Sequence, residues 1–274
     1  MGLSEFSAVG DWPLIVQFAS SDPVEYAKAA QLIYGQSNGV DLNCGCPKKD
    51  TTSRECGSHL LKSPDLIADM VRQVRRTLSD PDYAVSVKIR LQYPLQRTVD
   101  LVRQVEAAGV SHITVHARTP CQRVEPPDYE ALKIITSSVN VPVIANGAIE
   151  SLEQADRLIE ETRVNGVMAA NGLLDNPGMF AGHRTTQPEV VLDWLVEGAP
   201  GRATDDHFHR HLGFMLRCRC QSDGNSPPSG AAPTSPTMCD NDLQDGCGAK
   251  QKRADTNESE TMGKRSVGHT RLLI

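Results

Sequence analysis

The sequence predicts an α/β fold, a TIM-type (β/α) barrel, because short β-rich segments alternate with helical segments between residues 12 and 182. Strands that alternate with helices of this length form parallel βαβ units. Polar residues stand at the carboxyl ends of several predicted strands, where such folds place their active sites. No Gly-x-Gly-x-x-Gly segment follows the first strand, which disfavours a dinucleotide-binding doubly wound sheet. Six strands are predicted where a closed barrel has eight, so we expect an incomplete barrel.

The strand predictions rest on short runs rich in Val, Ile and Ala. Several of these runs read as apolar on both faces, as expected for strands buried in a parallel sheet. The six predicted strands cover residues 13–19, 39–43, 84–90, 112–118, 141–147 and 165–170.

The helix predictions rest on capping residues and on apolar residues at helical spacing. Asp22 and Ser63 each stand before a proline, which suits the first turn of a helix. Gly109 is a normal helix stop, and Ser151 with Gln154 forms a capping box. The predicted helices cover residues 22–34, 63–78, 94–109, 128–139 and 151–161.

Composition divides the chain into three parts. Residues 1–182 carry the partial barrel, residues 183–217 begin a helical region, and residues 218–274 are polar and rich in Pro, Gly and Ser. We expect the last part to be disordered, because it cannot bury enough apolar surface to offset the entropy of ordering.

Charge and composition exclude several classes of protein. The net charge of -6 disfavours a generally basic nucleic-acid-binding protein, although it permits a local basic groove. The aromatic content of 4% disfavours a base-stacking surface, and no apolar run approaches the roughly 20 residues of a membrane span. The first residues match neither a signal peptide nor a transit peptide, and the eight cysteines suit reduced thiols. We therefore expect a cytoplasmic, or cytoplasmic and nuclear, protein without membrane association or a stable protein partner.

The segment VDLNCGCPKKD is the sharpest candidate for chemistry. A buried strand leads through Asn43 into a Cys-Gly-Cys-Pro turn, where Gly45 permits a tight bend and Pro47 fixes the chain. Such a turn can aim a thiol into a pocket as a nucleophile or proton donor. A buried structural cysteine and a metal pair are the alternatives. We expect no metal, because no second cysteine pair is near and because His207 and His211 lack the acidic residue of a metalloprotease helix.

Two basic residues lie in predicted strands that end near this turn. Lys88 stands between apolar neighbours, and a buried cation is costly unless it meets an anion or a carbonyl-rich ligand. A flavin or a Schiff-base substrate would be such a ligand; the alternative is that the ammonium snorkels to solvent. His116 is expected at the same end of the sheet, although a lone strand histidine is often a satisfied core residue.

The last two predicted strands end in the glycine-containing turns IANGAIES and MAANGLLDNP. Gly147 and Gly172 let backbone N–H groups approach an anion, and barrels commonly bind phosphate at these loops. The alternative is a pair of ordinary strand-to-helix turns.

Five motifs in fixed order, DLNCGCP, SVKIR, ITVHART, PVIANG and GVMAANGLLDNPGMF, resemble the tRNA-dihydrouridine synthases. The resemblance covers about residues 4–217 and is closest to the eukaryotic type-4 branch, which modifies positions 20a and 20b of the tRNA D-loop. It implies a flavin-containing (β/α) barrel followed by a helical tRNA-binding domain. The family has two strands before the one that contains Gln17, so the resemblance implies a chain truncated at both ends.

The resemblance also implies a reaction. NADPH or NADH reduces FMN, hydride passes from the flavin to C6 of a flipped-out uracil, and Cys46 protonates C5. By the same resemblance, Gln17 and Lys88 bind the flavin ring, His116 borders it, and Asn43 lines the uracil pocket. The phosphate end of the cofactor is assigned to Asn146, Gly147, Ala148, Ala170, Asn171 and Gly172.

Three positions depart from the family pattern. Lys48 replaces a glutamine, Ala148 replaces an acidic residue, and Asn171 replaces the arginine of the phosphate turn. Two alternatives therefore stay open beside an active tRNA-dihydrouridine synthase. One is a catalytically inactive truncated isoform of the family, and the other is a flavin barrel reductase that acts on a small pyrimidine.

Overall fold

A computed structural model describes residues 12–197, 205–222 and 272–273, and side chains are described for residues 12–196 and 208–217. Within these ranges the dominant feature is one parallel sheet with a helix after most strands. The strands are β1 (Ile15–Phe18), β2 (Gly39–Cys44), β3 (Ala84–Arg90), β4 (His112–His116), β5 (Val143–Asn146), β6 (Gly166–Met168) and β7 (Leu272–Leu273).

The order of the strands in the sheet follows the chain, from β1 to β7, and every neighbouring pair is parallel. In a doubly wound sheet the order reverses at a switch point, whereas the wall of a (β/α) barrel has no reversal. The predicted barrel class and its six strands are confirmed. The two-residue strand β7 was not predicted, and it lies inside the segment 218–274 that we expect to be disordered.

The two faces of the sheet differ sharply. One face carries buried apolar side chains, because Val40, Leu42 and Cys44 of β2 align with Val85, Val87 and Ile89 of β3, and this pattern continues through β4 and β5. The other face is polar, and its first layers pair Gln17 with Asp41, Asp41 with Ser86, Asn43 with Lys88, Lys88 with Thr114, and Arg90 with His116. The prediction that several strands are apolar on both faces fits β5, where Val143, Ile144 and Ala145 are all buried, but not β2, β3 and β4, whose second face is polar near the carboxyl end.

The helices cover the apolar face. Helix α3 shows the pattern most clearly: Ile67, Met70, Val71 and Val74 recur at helical spacing and are fully buried. It packs against α1 on one side and α4 on the other. The helices are α1 (Pro23–Ile33), α2 (Lys49–Thr52), α3 (Pro64–Thr77), α4 (Gln96–Ala107), α5 (Tyr129–Ser137), α6 (Leu152–Thr162), α7 (Asn171–Asp175), α8 (Pro188–Glu197) and α9 (Asp205–Ser222).

The five predicted helices correspond to α1, α3, α4, α5 and α6, and the capping side chains of Asp22 and Ser151 accept the expected backbone hydrogen bonds. Short elements between β2 and α3 were missed, namely α2 and the 3₁₀ segment Gly57–Lys62. Helix α9 continues to Ser222, five residues past the predicted boundary at 217. The domain limits stay predictions, because residues 1–11 and nearly all of residues 223–274 lie outside the described part. No helix in that part is long and apolar enough to cross a membrane.

Candidate active site

A chain of hydrogen bonds runs across the polar face from β3 to the cysteine turn. The hydroxyl of Ser86 donates to Asp41 Oδ1 at 2.7 Å, and Gln17 Nε2 donates to Asp41 Oδ2 at 2.7 Å. Asn43 Nδ2 then donates to Gln17 Oε1 at 2.9 Å. Because the carboxylate only accepts hydrogen bonds, it fixes the direction in which both amides point.

The direction of the Asn43 amide decides the shape of the cysteine turn. Its Oδ1 accepts from the backbone N–H groups of Gly45 at 3.1 Å and Cys46 at 3.0 Å. This side-chain-to-backbone arrangement holds the turn as a backbone hydrogen bond would. The bend at Gly45 and Cys46 therefore depends on a chain of three side chains, those of Asn43, Gln17 and Asp41.

The two cysteines of the turn have opposite environments. Cys44 is fully buried on the apolar face, and burial raises the pKa of its thiol well above the usual value, with nearby Asp41 and Cys56 adding to the effect. Cys46 is half-buried at the polar side of the sheet end, with Thr51 Oγ1 at 3.5 Å from its sulfur. A thiolate is the reactive form and a reachable thiol is the useful acid, so Cys46 is the cysteine of this turn that can react.

Lys88 and Arg90 both interact electrostatically with Cys46, and Arg118 acts on Arg90 from the next strand end. Burial lowers the pKa of the Lys88 ammonium, an effect that Asp41 opposes and Arg90 reinforces. Burial also lowers the pKa of Arg90, and Arg118 acts in the same direction. Within the described residues, no hydrogen bond or ion pair holds the Lys88 ammonium. This part of the polar face is therefore electropositive, and its ammonium has no direct hydrogen-bonding partner among the described residues.

The same positive charges act on His116. Burial first, and then the charges of Arg90, Lys88 and Arg118, lower its pKa to about 3. Arg118 Nη1 lies 3.3 Å from His116 Nε2. His116 is neutral near pH 7, so it can donate or accept a hydrogen bond here without adding charge.

The ends of β5 and β6 form a second group of residues. Asn146 Nδ2 donates to the carbonyl of Met168 at 2.8 Å and so ties the two strand ends together. A Cβ at Gly172 would lie 2.5 Å from the carbonyl oxygen of Ile149, so the turn after β6 packs directly on the turn after β5. The structure therefore brings the two predicted phosphate turns together, with Ala148 and Asn171 exposed on them.

Gly147 links this second group to the first. Its φ is +126°, and a Cβ there would lie 2.9 Å from His116 Cδ2. The bend after β5 therefore needs a glycine, both for its backbone angle and for the approach of the histidine ring. In this way the sheet places all the predicted site residues along one edge, at the carboxyl ends of its strands.

Sequence reasoning assigned no specific role to four residues of this edge, although it placed two of them, Arg90 and Arg118, at the carboxyl ends of strands. Asp41 reads as a strand residue in an apolar run, and Thr51 belongs to a helix too short to give a periodic pattern. Arg90 and Arg118 are polar residues at strand ends, and their spacing from Lys88 and His116 was the signal: Lys88-x-Arg90 and His116-x-Arg118 place each pair on one face. Among the described residues, no cluster of His, Cys, Asp and Glu side chains could hold a metal ion.

Comparison with known proteins decides the family. The family model described as dihydrouridine synthase (Dus) matches residues 4–199, which is more than half of the chain. The chain belongs to the dihydrouridine synthase family. The resemblance that the five motifs indicate is confirmed, and the motifs DLNCGCP and SVKIR are the segments that build the cysteine turn and the cation cluster.

Curated relatives agree with this family. An uncharacterized tRNA-dihydrouridine synthase-like protein of Caenorhabditis elegans is 52% identical over 219 residues, 76% of this chain and 73% of the relative. The tRNA-dihydrouridine(20a/20b) synthase [NAD(P)+]-like protein of Mus musculus is 45% identical over 218 residues, 78% of this chain and 66% of the relative. The tRNA-dihydrouridine(20a/20b) synthase [NAD(P)+] of Schizosaccharomyces pombe is 36% identical and is covered over 63% of its length. The matched region spans about two thirds of these relatives.

Among solved structures, a dihydrodipicolinate synthase from Bacillus anthracis superposes with a TM-score of 0.48 at 13% identity, over 78% of this chain and 77% of that one. A similarity at this level does not indicate function.

The polar face suits the flavin that the dihydrouridine synthase family implies. Among the described residues, neither the Lys88 ammonium nor the buried Thr114 hydroxyl beside it in the sheet has a hydrogen-bonding partner. A flavin ring carries carbonyl oxygens along one edge, which match such donors. The residues present therefore fit this cofactor.

Proposed function

We propose that this protein is a flavin-dependent oxidoreductase that reduces uridine in the D-loop of tRNA to 5,6-dihydrouridine, with FMN as cofactor and NADPH or NADH as reductant. The single observation that supports this most is the juxtaposition of one reachable thiol with a half-buried ammonium that has no hydrogen-bonding partner among the described residues. Cys46 and Lys88 interact electrostatically on the same polar face, where Asn43 stands beside Lys88 in the register of the sheet.

FMN, when bound, supplies the hydride that goes to C6 of the uracil. The Lys88 ammonium is the donor for the carbonyl edge of the flavin ring, and a desolvated cation there is worth more than one in water. Gln17 and His116 flank this position from β1 and β4. The turns at Asn146–Ala148 and Ala170–Gly172 hold the phosphate end.

Cys46 completes the reduction. As hydride arrives at C6, the electron pair of the C5–C6 double bond moves toward C5, which needs a proton. The Sγ–H bond of Cys46 breaks, the new C5–H bond forms, and the electron pair of the S–H bond stays on sulfur as a thiolate. Lys88 and Arg90 are near enough to interact with that negative charge.

Two features favour tRNA as the substrate over a free base. The names of the relatives describe tRNA-dihydrouridine synthases, and the cysteine turn is followed by exposed Lys48, Lys49 and Arg54. Exposed cations beside a site contact phosphates without reading sequence. The uridine must leave its stack to reach the polar face.

The test is to incubate the protein with FMN and NADPH and then measure dihydrouridine by mass spectrometry in an unmodified tRNA transcript and in free uridine. We expect the wild-type protein to form dihydrouridine in the tRNA transcript but not in free uridine. Cys46→Ala should form no product, whereas Cys44→Ala should still form it. Product from free uridine would instead support a small-pyrimidine reductase. A protein that takes up no FMN and forms no product would support an inactive isoform.

A further inference from the structure

The side chain of Thr51 lies against the reactive thiol. Thr51 Oγ1 is 3.5 Å from Cys46 Sγ, and both side chains are half-buried. A hydroxyl can donate to sulfur as well as accept from a thiol, so this contact serves Cys46 in either protonation state. Among the described residues, the Cys46 sulfur is the hydrogen-bond partner of the Thr51 hydroxyl.

Gly57 packs closely against both residues of this contact. Its φ is +62°, and a Cβ there would lie 2.5 Å from the carbonyl oxygen of Cys46 and 2.8 Å from Thr51 Cγ2. The backbone N–H of Ser58 also donates to the Cys46 carbonyl at 2.9 Å. The backbone N–H of Cys56 donates to the Thr51 carbonyl at 3.2 Å. The turn therefore clamps both residues, and their contact follows from the path of the backbone.

We propose that Thr51 is a positioning residue for the acid of the reaction, an inference that rests on the proposed function for its catalytic meaning. The Thr51 hydroxyl holds the thiol toward the polar face before proton transfer. After the Cys46 proton has moved to C5, the hydroxyl donates to the thiolate that remains. As the hydroxyl passes its own proton to sulfur, it takes one from a solvent acid, hydronium or buffer, whose conjugate base returns to solvent; the thiol is restored with no net change in the hydroxyl.

The chain offers a matched control for this hydroxyl. Thr52 stands next to Thr51 in α2, and its hydroxyl donates to the carbonyls of Lys48 at 3.2 Å and Lys49 at 3.3 Å rather than to sulfur. Thr51→Val and Thr52→Val each replace one hydroxyl by a methyl group of similar size. Thr51→Ser keeps the hydroxyl and removes the methyl group.

The first measurement needs neither flavin nor tRNA. The rate at which iodoacetamide alkylates Cys46 at pH 7 reports the thiolate fraction, and mass spectrometry of the digest follows Cys46 separately from exposed Cys121. Loss of a hydrogen bond to a charged group should slow alkylation about three- to tenfold in Thr51→Val. Thr51→Ser and Thr52→Val should react as wild type, and the rate at Cys121 should not change.

The second measurement connects the contact to turnover. Thr51→Val should lower the kcat of dihydrouridine formation several-fold, leave cofactor reduction by NADPH unchanged, and have no further effect in a Cys46→Ala background. Wild-type alkylation of Cys46 in Thr51→Val would overturn the proposal, and so would slow alkylation in both Thr51→Val and Thr51→Ser. Thr51→Ala replaces Thr51→Val where the latter folds poorly. Slow alkylation with rescue by serine, but no dihydrouridine from wild type, would keep this contact and reject the proposed function.

Discussion

Asp41 is a charged side chain that the sheet buries, with 7% of its surface exposed. Burial raises its pKa, while hydrogen bonds from Ser86 and Gln17 and the charge of Lys88 act in the opposite direction. A buried carboxylate is stable only where its oxygens are bonded, and here each oxygen accepts one strong hydrogen bond. Its value to the site is directional, since it orients the amides of Gln17 and Asn43.

Removal of this acceptor should destabilise the fold. Asp41→Ala leaves the buried Ser86 hydroxyl unpaired, which costs about 1–3 kcal/mol, whereas the exposed Gln17 amide can bond to water. Asp41→Asn should cost less, because its Oδ1 can still accept from Gln17 while the Ser86 hydroxyl turns to accept from its Nδ2. Urea unfolding at pH 7 measures both. Equal losses in the two variants would show that the direction of the amide chain is unimportant.

Lys88 should be the main determinant of flavin affinity. Lys88→Met removes the ammonium but keeps most of the side-chain volume. We expect FMN to bind about tenfold more weakly, because a charge-assisted hydrogen bond is lost. Lys133→Met is the matched control, since Lys133 forms an exposed ion pair with Glu130 on α5. Quenching of flavin fluorescence measures both affinities. Unchanged affinity in a folded Lys88→Met protein would refute the assigned role.

At the scale of elements, the two faces of the sheet have different roles. Its apolar side anchors helices α1, α3, α4 and α5, and this burial supplies most of the stabilisation. Its polar side then carries Asp41, Lys88, Arg90 and His116 on neighbouring strands that are hydrogen-bonded to one another. A site built on strands holds its groups more precisely than one built on loops.

The turn after β5 tests how tightly this geometry is set. Gly147→Ala must adopt a left-handed backbone angle and also approach His116, whereas Gly35→Ala adopts a φ of +84° with nothing within 4 Å. We expect Gly35→Ala to cost about 1 kcal/mol and Gly147→Ala to cost at least 1 kcal/mol more. Thermal unfolding compares the two. A smaller loss in Gly147→Ala than in Gly35→Ala would show that the turn relaxes away from the histidine.

For the whole molecule, the sequence predicted the order and class of the elements because apolar runs and caps are local signals. It failed where the answer depended on three dimensions. Several strands were predicted to be apolar on both faces, but the carboxyl end of the sheet carries polar side chains such as Asp41 and Ser86 on one face. The contact between Cys46 and Thr51 depends on a four-residue helix, which is too short to show a hydrophobic period. Strand β7 is remote in sequence from its partner β6, and local patterns cannot predict such a pairing.

The acid stability of the molecule should depend on His116. Its pKa is about 3 in the folded state and near 6.5 in an unfolded chain, so the unfolded state binds more protons between these values. The contribution of neutral His116 to the free energy of unfolding is therefore fully present above about pH 6.5, and it is lost as the pH drops from 6.5 towards 3. His116→Gln should remove roughly 1 kcal/mol of the loss between pH 7 and pH 5, a value discounted for partial exposure. Urea unfolding at the two pH values measures it, and an identical loss in the variant would contradict this assignment.

The central claim is that one polar face holds a reducible flavin and that Cys46 delivers the proton. The most direct measurement follows the visible absorbance of protein-bound FMN in one anaerobic experiment, first on addition of NADPH and then on addition of unmodified tRNA. We predict that wild type and Cys46→Ala bleach alike with NADPH, and that tRNA restores the absorbance quickly in wild type and very slowly in Cys46→Ala. Equal recovery in the two proteins, or no bleaching in wild type, would contradict the claim.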